Sequence, residues 1–141
     1  MNPPITKEYV LDANAVMRYF QNQPGADAVE KLIQRELLNE IRLYMSVVNL
    51  GEVFYSLAKF IGEERTLQTI RELRGAVEAV PLDEEFAIEA AALKYHYKMG
   101  YADSIAAVLA MRRKATLVTA DPDFEKLGKR LKVMALTRHN E

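Results

Sequence analysis

Tyr9-Val10-Leu11-Asp12-Ala13-Asn14 decides the fold: a short β-favouring run closes on an aspartate and passes directly into a helical stretch over residues 15–20. Leu117-Val118-Thr119-Ala120-Asp121 repeats the arrangement late in the chain, and Pro122 opens a short helix over 122–127. Further strands are expected over 42–46, 77–82 and 133–136, with Pro81 placing the second of these at a sheet edge or strand end. Helical spacing marks the segments between. Val29, Leu32, Ile33, Leu37 and Leu38 define one apolar face, and Leu50, Val53, Phe54, Leu57 and Ile61 define another that Gly62 ends. Leu67, Ile70 and Leu73 mark a third, closed by Gly75. Asp83 caps a helix running to about residue 99, and residues 101–113 form the next. Strands interleaved with helices imply an α/β fold. The expected architecture is one domain over 1–141, with a central, mostly parallel sheet of about five strands flanked by helices.

A chain of 141 residues, 50% hydrophobic, suffices for one full core. No apolar run approaches the roughly 18 residues of a membrane span. Residues 1–8 lack the basic and apolar regions of a signal peptide, so a cytoplasmic protein is expected. There is no cysteine, which excludes disulfides, thiolate metal sites and a cysteine nucleophile. The net charge of -1 suits a polyanion poorly at first sight. Setting aside four acids discussed next leaves 16 acidic residues against 19 basic ones. The bases also cluster late: Arg112, Arg113, Lys114, Lys126, Lys129, Arg130, Lys132 and Arg138 face only Asp121, Asp123, Glu125 and Glu141. Such a run can attract phosphates without sequence preference, although each member also reads as solvated surface.

Ligands of open parallel sheets bind outside the carboxyl ends of the strands. Asp12 and Asp121 close strands there, while Glu52 and Asp103 fall in the opening turns of helices. Each has a plainer explanation. Asp12 caps the helix after it, a service Asn14 also offers. Glu52 occupies the third helical position behind an Asn49 cap, a capping box, and lies opposite the Leu50, Val53, Phe54 and Leu57 stripe. Asp103 suits the positive end of a helix dipole and points away from Ile105, Val108 and Leu109. Asp121 before Pro122 is a cap-then-proline helix start. Asp123 and Glu125 read as surface acids, with Asp123 a candidate outer contributor. Independent caps, however, need not gather at one sheet edge. Carboxylates that do gather repel one another and stay ionised only beside a cation. Mg²⁺ or Mn²⁺, hard ions that prefer oxygen ligands, are the natural candidates. Asn14 and Thr119 supply neutral hydrogen-bonding groups that can orient such carboxylates.

The ordered set Val10-Leu11-Asp12-Ala13-Asn14, Asn49-Leu50-Gly51-Glu52-Val53-Phe54-Tyr55, Tyr101-Ala102-Asp103-Ser104-Ile105-Ala106 and Leu117-Val118-Thr119-Ala120-Asp121-Pro122-Asp123-Phe124 resembles the PIN-domain nucleases, and within them the VapC-type toxins of toxin–antitoxin pairs. The resemblance covers nearly the whole chain. It implies a PIN-like domain and a Mg²⁺- or Mn²⁺-dependent ribonuclease. The family's acids carry over onto Asp12, Glu52, Asp103 and Asp121, with Asn14 and Thr119 at its supporting polar positions. Asp12 and Asp103 are the first choices as direct metal ligands, with Glu52 and Asp121 binding directly or through water. A homodimer and a small antitoxin that blocks the site are also implied.

Other chemistries fit less well. His96 and His139 form no metal pair, and no nucleophile elbow, P-loop or dinucleotide glycine fingerprint occurs. Asp12-x-Asn14 is similar to the haloacid dehalogenase pattern, but Asn14 stands where that pattern needs a second aspartate. A receiver domain would need paired acids after the first strand. The alternative from another class is a catalytically silent PIN-like RNA-binding or protein-interaction module. Tyr95, Tyr97, Tyr101 and the helix near Leu50 would supply its surface, against an expectation of core packing for most of these residues.

Overall fold

A computed structural model describes residues 7–136. Five parallel strands form one sheet in the order β3-β2-β1-β4-β5: β1 (Glu8–Leu11), β2 (Arg42–Ser46), β3 (Glu78–Val80), β4 (Thr116–Thr119) and β5 (Val133–Ala135). The expected mostly parallel sheet is thus wholly parallel among the described residues. The short strands β3 and β5 take the two edges, and Pro81 follows β3, where no ladder needs its missing N–H.

Six α-helices connect the strands: α1 (Ala13–Phe20), α2 (Ala26–Leu37), α3 (Val47–Ile61), α4 (Glu63–Leu73), α5 (Glu84–Tyr97) and α6 (Tyr101–Arg113). A 3-10 segment, Pro122–Arg130, replaces the expected short helix and is broken at Gly128, whose φ is 53°. Asp83 caps α5 by accepting a hydrogen bond from the Phe86 N–H at 2.8 Å.

Alternation along the strands divides the interior in two. Val10, Tyr44 and Leu117 face a layer of α5, α6 and the 3-10 segment, where Phe86, Leu93, Ile105 and Phe124 are buried. Leu11, Leu43, Met45 and Val118 face α1 to α4, where Val16, Val29, Leu32 and Val53 are buried. Both faces are covered, which is why the strands read as near-continuous apolar runs. Helix α6 is buried on all sides, from Ser104 through Ala110, so the expected single apolar stripe is absent there. Arg113 donates to both Glu8 carboxylate oxygens and to the Tyr44 hydroxyl, tying α6 to the start of β1 and the middle of β2.

The tyrosines depart from the core packing expected of them. Tyr95 is 81% exposed and Tyr101 40% exposed. Only Tyr97 is half-buried, its hydroxyl held by Arg130. His96 is exposed on α5, and His139 lies outside the described residues.

Candidate functional site

The strand order turns back between β1 and β4: from β1 the chain moves outward to β2 and β3, then returns to β4 on the other side. At such a switch point the flanking connections diverge and leave a crevice beyond the carboxyl ends. Asp12 follows β1 directly and Thr119 ends β4, so register alone makes them neighbours: Leu11 pairs with Val118, and the Asp12 N–H donates to the Val118 carbonyl at 3.4 Å.

Asp12 is 3% exposed and satisfied on both oxygens. Oδ1 accepts from the Ala15 N–H at 2.8 Å, capping α1, and Oδ2 accepts a short hydrogen bond from the Thr119 hydroxyl. The cap and the site are therefore one arrangement, not competing explanations. Asn14 does not share the capping. It is exposed at the second position of α1, and its side chain makes no hydrogen bond among the described residues. Thr119 is 1% exposed, and its Oγ1 also accepts from the Asp121 N–H at 3.0 Å. One hydroxyl thus couples the carboxylate after β1 to the backbone that carries Asp121. Asp121 in turn caps the 3-10 segment, accepting from the Asp123 N–H at 2.9 Å.

Glu52 and Asp103 enter from the neighbouring helices. The cap of α3 is Ser46, not Asn49: the Ser46 hydroxyl accepts from the Asn49 N–H at 3.0 Å. The helix starts one turn earlier than expected because the last residue of β2 is also its cap. Glu52 consequently lies in the second turn, and the capping-box explanation for it fails. Asn49 is 1% exposed, with its Oδ1 accepting from the Ser46 hydroxyl at 2.6 Å. Its Nδ2 donates to Glu52 Oε1 at 3.0 Å and to the Ala102 carbonyl at 3.2 Å. Asn49 therefore fixes Glu52 against the first turn of α6, beside Asp103. The role expected of Asn49, a cap, missed this. The usable signal was Asn49 three positions before Glu52, which places both on one helix face.

The electrostatics reveal one anionic field. Burial pushes the Asp12 carboxyl up to about 7; the Thr119 and Ala15 hydrogen bonds oppose this, while Asp103 and Asp121 add to it. Asp103, half-buried, is pushed up to about 6, first by burial and then by Asp121, Glu52 and Asp123. All four acids are thus linked through charge, with Asp123 an exposed fifth. They do not form a closed cage: among the described residues, no three acids or histidines are grouped closely enough to enclose an ion as they stand. The donors are nevertheless all hard oxygen, and the repulsion between them is what a divalent cation relieves. On that chemistry the residues fit Mg²⁺ or Mn²⁺.

The PIN domain family matches residues 9–130, and the chain belongs to that family. Comparison with curated protein sequences finds no match. Among solved structures, the chain is similar to VapBC2 from Rickettsia felis, bound to a DNA fragment from its promoter, with 18% identity, 91% of this chain and 98% of that one covered, and a TM-score of 0.71. It is similar to DNA-bound VapBC from Salmonella typhimurium at 20% identity, 93% and 99% coverage and a TM-score of 0.70. VapBC-1 from nontypeable Haemophilus influenzae matches at 20% identity, 92% and 98% coverage and a TM-score of 0.70. At these identities the likeness establishes the fold.

Proposed function

We propose that this PIN-domain chain is a Mg²⁺- or Mn²⁺-dependent endoribonuclease and the toxin component of a toxin–antitoxin pair. The observation that carries the reading is the meeting of Asp12, Glu52, Asp103 and Asp121 at the β1/β4 switch point, with Asp12 and Asp103 both raised by burial and by neighbouring carboxylates. Asp12 and Asp103 are the residues to hold the ion, with Glu52 and Asp121 completing its surroundings directly or through water. A divalent ion there supplies Lewis-acid activation of water and charge stabilisation at a phosphodiester.

The chain's own groups prepare that chemistry. Thr119 and the Ala15 N–H immobilise Asp12, so its orientation costs no reorganisation on ligand binding. Asn49 occupies one Glu52 oxygen and leaves the other free to face the crevice or a water. Asp121 is held through its backbone by Thr119 and through its side chain by the Asp123 N–H.

A small antitoxin and a second copy of the chain are the protein partners this reading carries, in the cytoplasm where RNA is met. Tyr55 and Phe60 on α3 and Leu67 on α4 are exposed and available to a protein partner. No helix among the described residues is long and apolar enough to cross a membrane.

The test is cleavage of varied RNAs with Mg²⁺ or Mn²⁺ by wild type, Asp12→Asn and Asp103→Asn, each checked for folding. Either substitution is expected to lower the rate by more than the roughly 10–100-fold typical of residues that only support a ligand. Undiminished cleavage by Asp12→Asn sinks the assignment. RNA affinity in chelator, with no cleavage under any metal, would instead identify a silent binding module.

A further inference from the structure

The late basic run is sorted sharply by the fold. Arg112 pairs with Glu89 at 2.7 Å and Arg113 with Glu8 at 3.1 Å. Lys126 lies 3.8 Å from Asp123, and Arg138 falls outside the described residues. The other four, Lys114, Lys129, Arg130 and Lys132, are exposed and have no acidic partner among the described residues. All four line a single groove of about 330 Å³, with Ala115 and Leu131 among its apolar walls.

The groove opens where α6 ends and β4 and β5 begin, at the sheet edge opposite the acids. Asp103 and Lys114 stand at the two ends of α6, about 16 Å apart at 1.5 Å per residue. Arg130 is set in place without losing its charge: Nη1 donates to the neutral Tyr97 hydroxyl at 2.7 Å, and the guanidinium lies 5.5 Å from the Tyr97 ring centre. Lys114, as the C-cap of α6, complements the helix dipole, but Arg112 and Arg113 in the last turn already do so.

We infer that this groove is an exosite for the phosphate backbone of RNA. Protein partners are commonly anchored by large side chains, aromatic ones above all, in well-packed, desolvated pockets. Among the described residues, none of the large exposed hydrophobics lines the groove, whose apolar walls are only Ala110, Met111, Ala115 and Leu131. Unpaired, exposed cations along an open channel are what a phosphate chain requires, because each phosphate they neutralise releases a condensed counterion. The choice of RNA rests on the nuclease reading; the anion-binding groove does not.

The experiment titrates a fluorescently labelled single-stranded RNA against the full chain in EDTA, across a salt series. The paired variant Lys129→Glu/Lys132→Glu is compared with Lys31→Glu/Lys59→Glu, the same charge change at exposed positions on α2 and α3. The groove pair is expected to bind at least about tenfold more weakly than the control, with the salt slope shallower by ~0.7 for each phosphate no longer neutralised. If the reversed charges lower the melting temperature, Lys114→Ala/Lys132→Ala replaces them. Equal affinity of groove and control variants overturns the exosite. So does binding of polyglutamate or phosphatidylserine vesicles as tight as that of RNA. A wild type whose RNA binding needs the groove but which cleaves nothing with Mg²⁺ or Mn²⁺ keeps the exosite and removes the nuclease. Metal-dependent cleavage with groove-independent binding does the reverse.

Discussion

Asn49 carries more of the site's geometry than its neutral side chain suggests. It is buried, and its amide nitrogen divides two donors between Glu52 and the Ala102 carbonyl while its oxygen takes the Ser46 hydroxyl. Removing it leaves the part-buried Ala102 carbonyl and the buried Ser46 hydroxyl each one partner short, at up to about 1–3 kcal/mol for each. It also frees Glu52 to turn from Asp103. Asn49→Ala is therefore expected to lower stability and, measured well below its melting point, to weaken Mn²⁺ binding and RNA cleavage by roughly 10–100-fold. Asn49→Asp tests the mechanism separately: it sets a like charge against Glu52 and should weaken Mn²⁺ binding at low pH. Full metal affinity in Asn49→Ala, measured by calorimetry, would show that Glu52 does not need this support.

At the scale of elements, the strand β2 and the helix α6 match their expected bounds, whereas α3 does not. Strand β2 and helix α6 are bounded by clear changes of residue type. At Ser46 no loop separates strand from helix, so one residue ends a ladder and caps a helix, and local patterns cannot register both roles. Helix α6 was legible in extent but not in burial, since a helix enclosed on all sides has no polar face to set its phase. The convergence of the acids was legible because strand ends in a parallel sheet share an edge. Their bonds to Thr119 and Asn49 depend on tertiary approach. Two glycines test the same distinction. Gly51, exposed in α3 with open space at its Cβ position, is conformational slack, so Gly51→Ala should stabilise by roughly 0.5–1 kcal/mol. Gly25 has φ of +96°, and a Cβ there would sit 2.9 Å from the Leu136 Cβ, so Gly25→Ala should cost about 1–3 kcal/mol. Urea midpoints check both, and a stabilised Gly25→Ala would contradict the packing of α2 against the residue after β5.

Across the whole molecule, the acid crevice and the packed core pull against each other, and pH exposes the conflict. Asp12 and Asp103 have folded values of about 7 and about 6 against an ordinary 3.8. Between these limits the folded chain holds more protons than the unfolded one, so these two groups lower stability as pH rises through that window. Below it both forms are protonated and the penalty vanishes; above it the penalty is complete. A divalent ion held by these acids, as proposed, would reverse the trend, because it would bind the deprotonated carboxylates and favour the folded state by about 2.7 kcal/mol at a hundred times its dissociation constant. Melting in EDTA should therefore show wild type losing ground to Asp12→Asn as pH is raised from 4 to 7.5, by several degrees at the upper end. Asparagine can keep the cap on Ala15 while shedding the buried charge. Adding Mn²⁺ at pH 7.5 should raise the melting temperature of wild type and leave Asp12→Asn nearly unchanged. Parallel pH profiles for the two proteins in EDTA would mean that Asp12 is not held as a strained anion. A Mn²⁺ shift that survives Asp12→Asn would place the ion elsewhere.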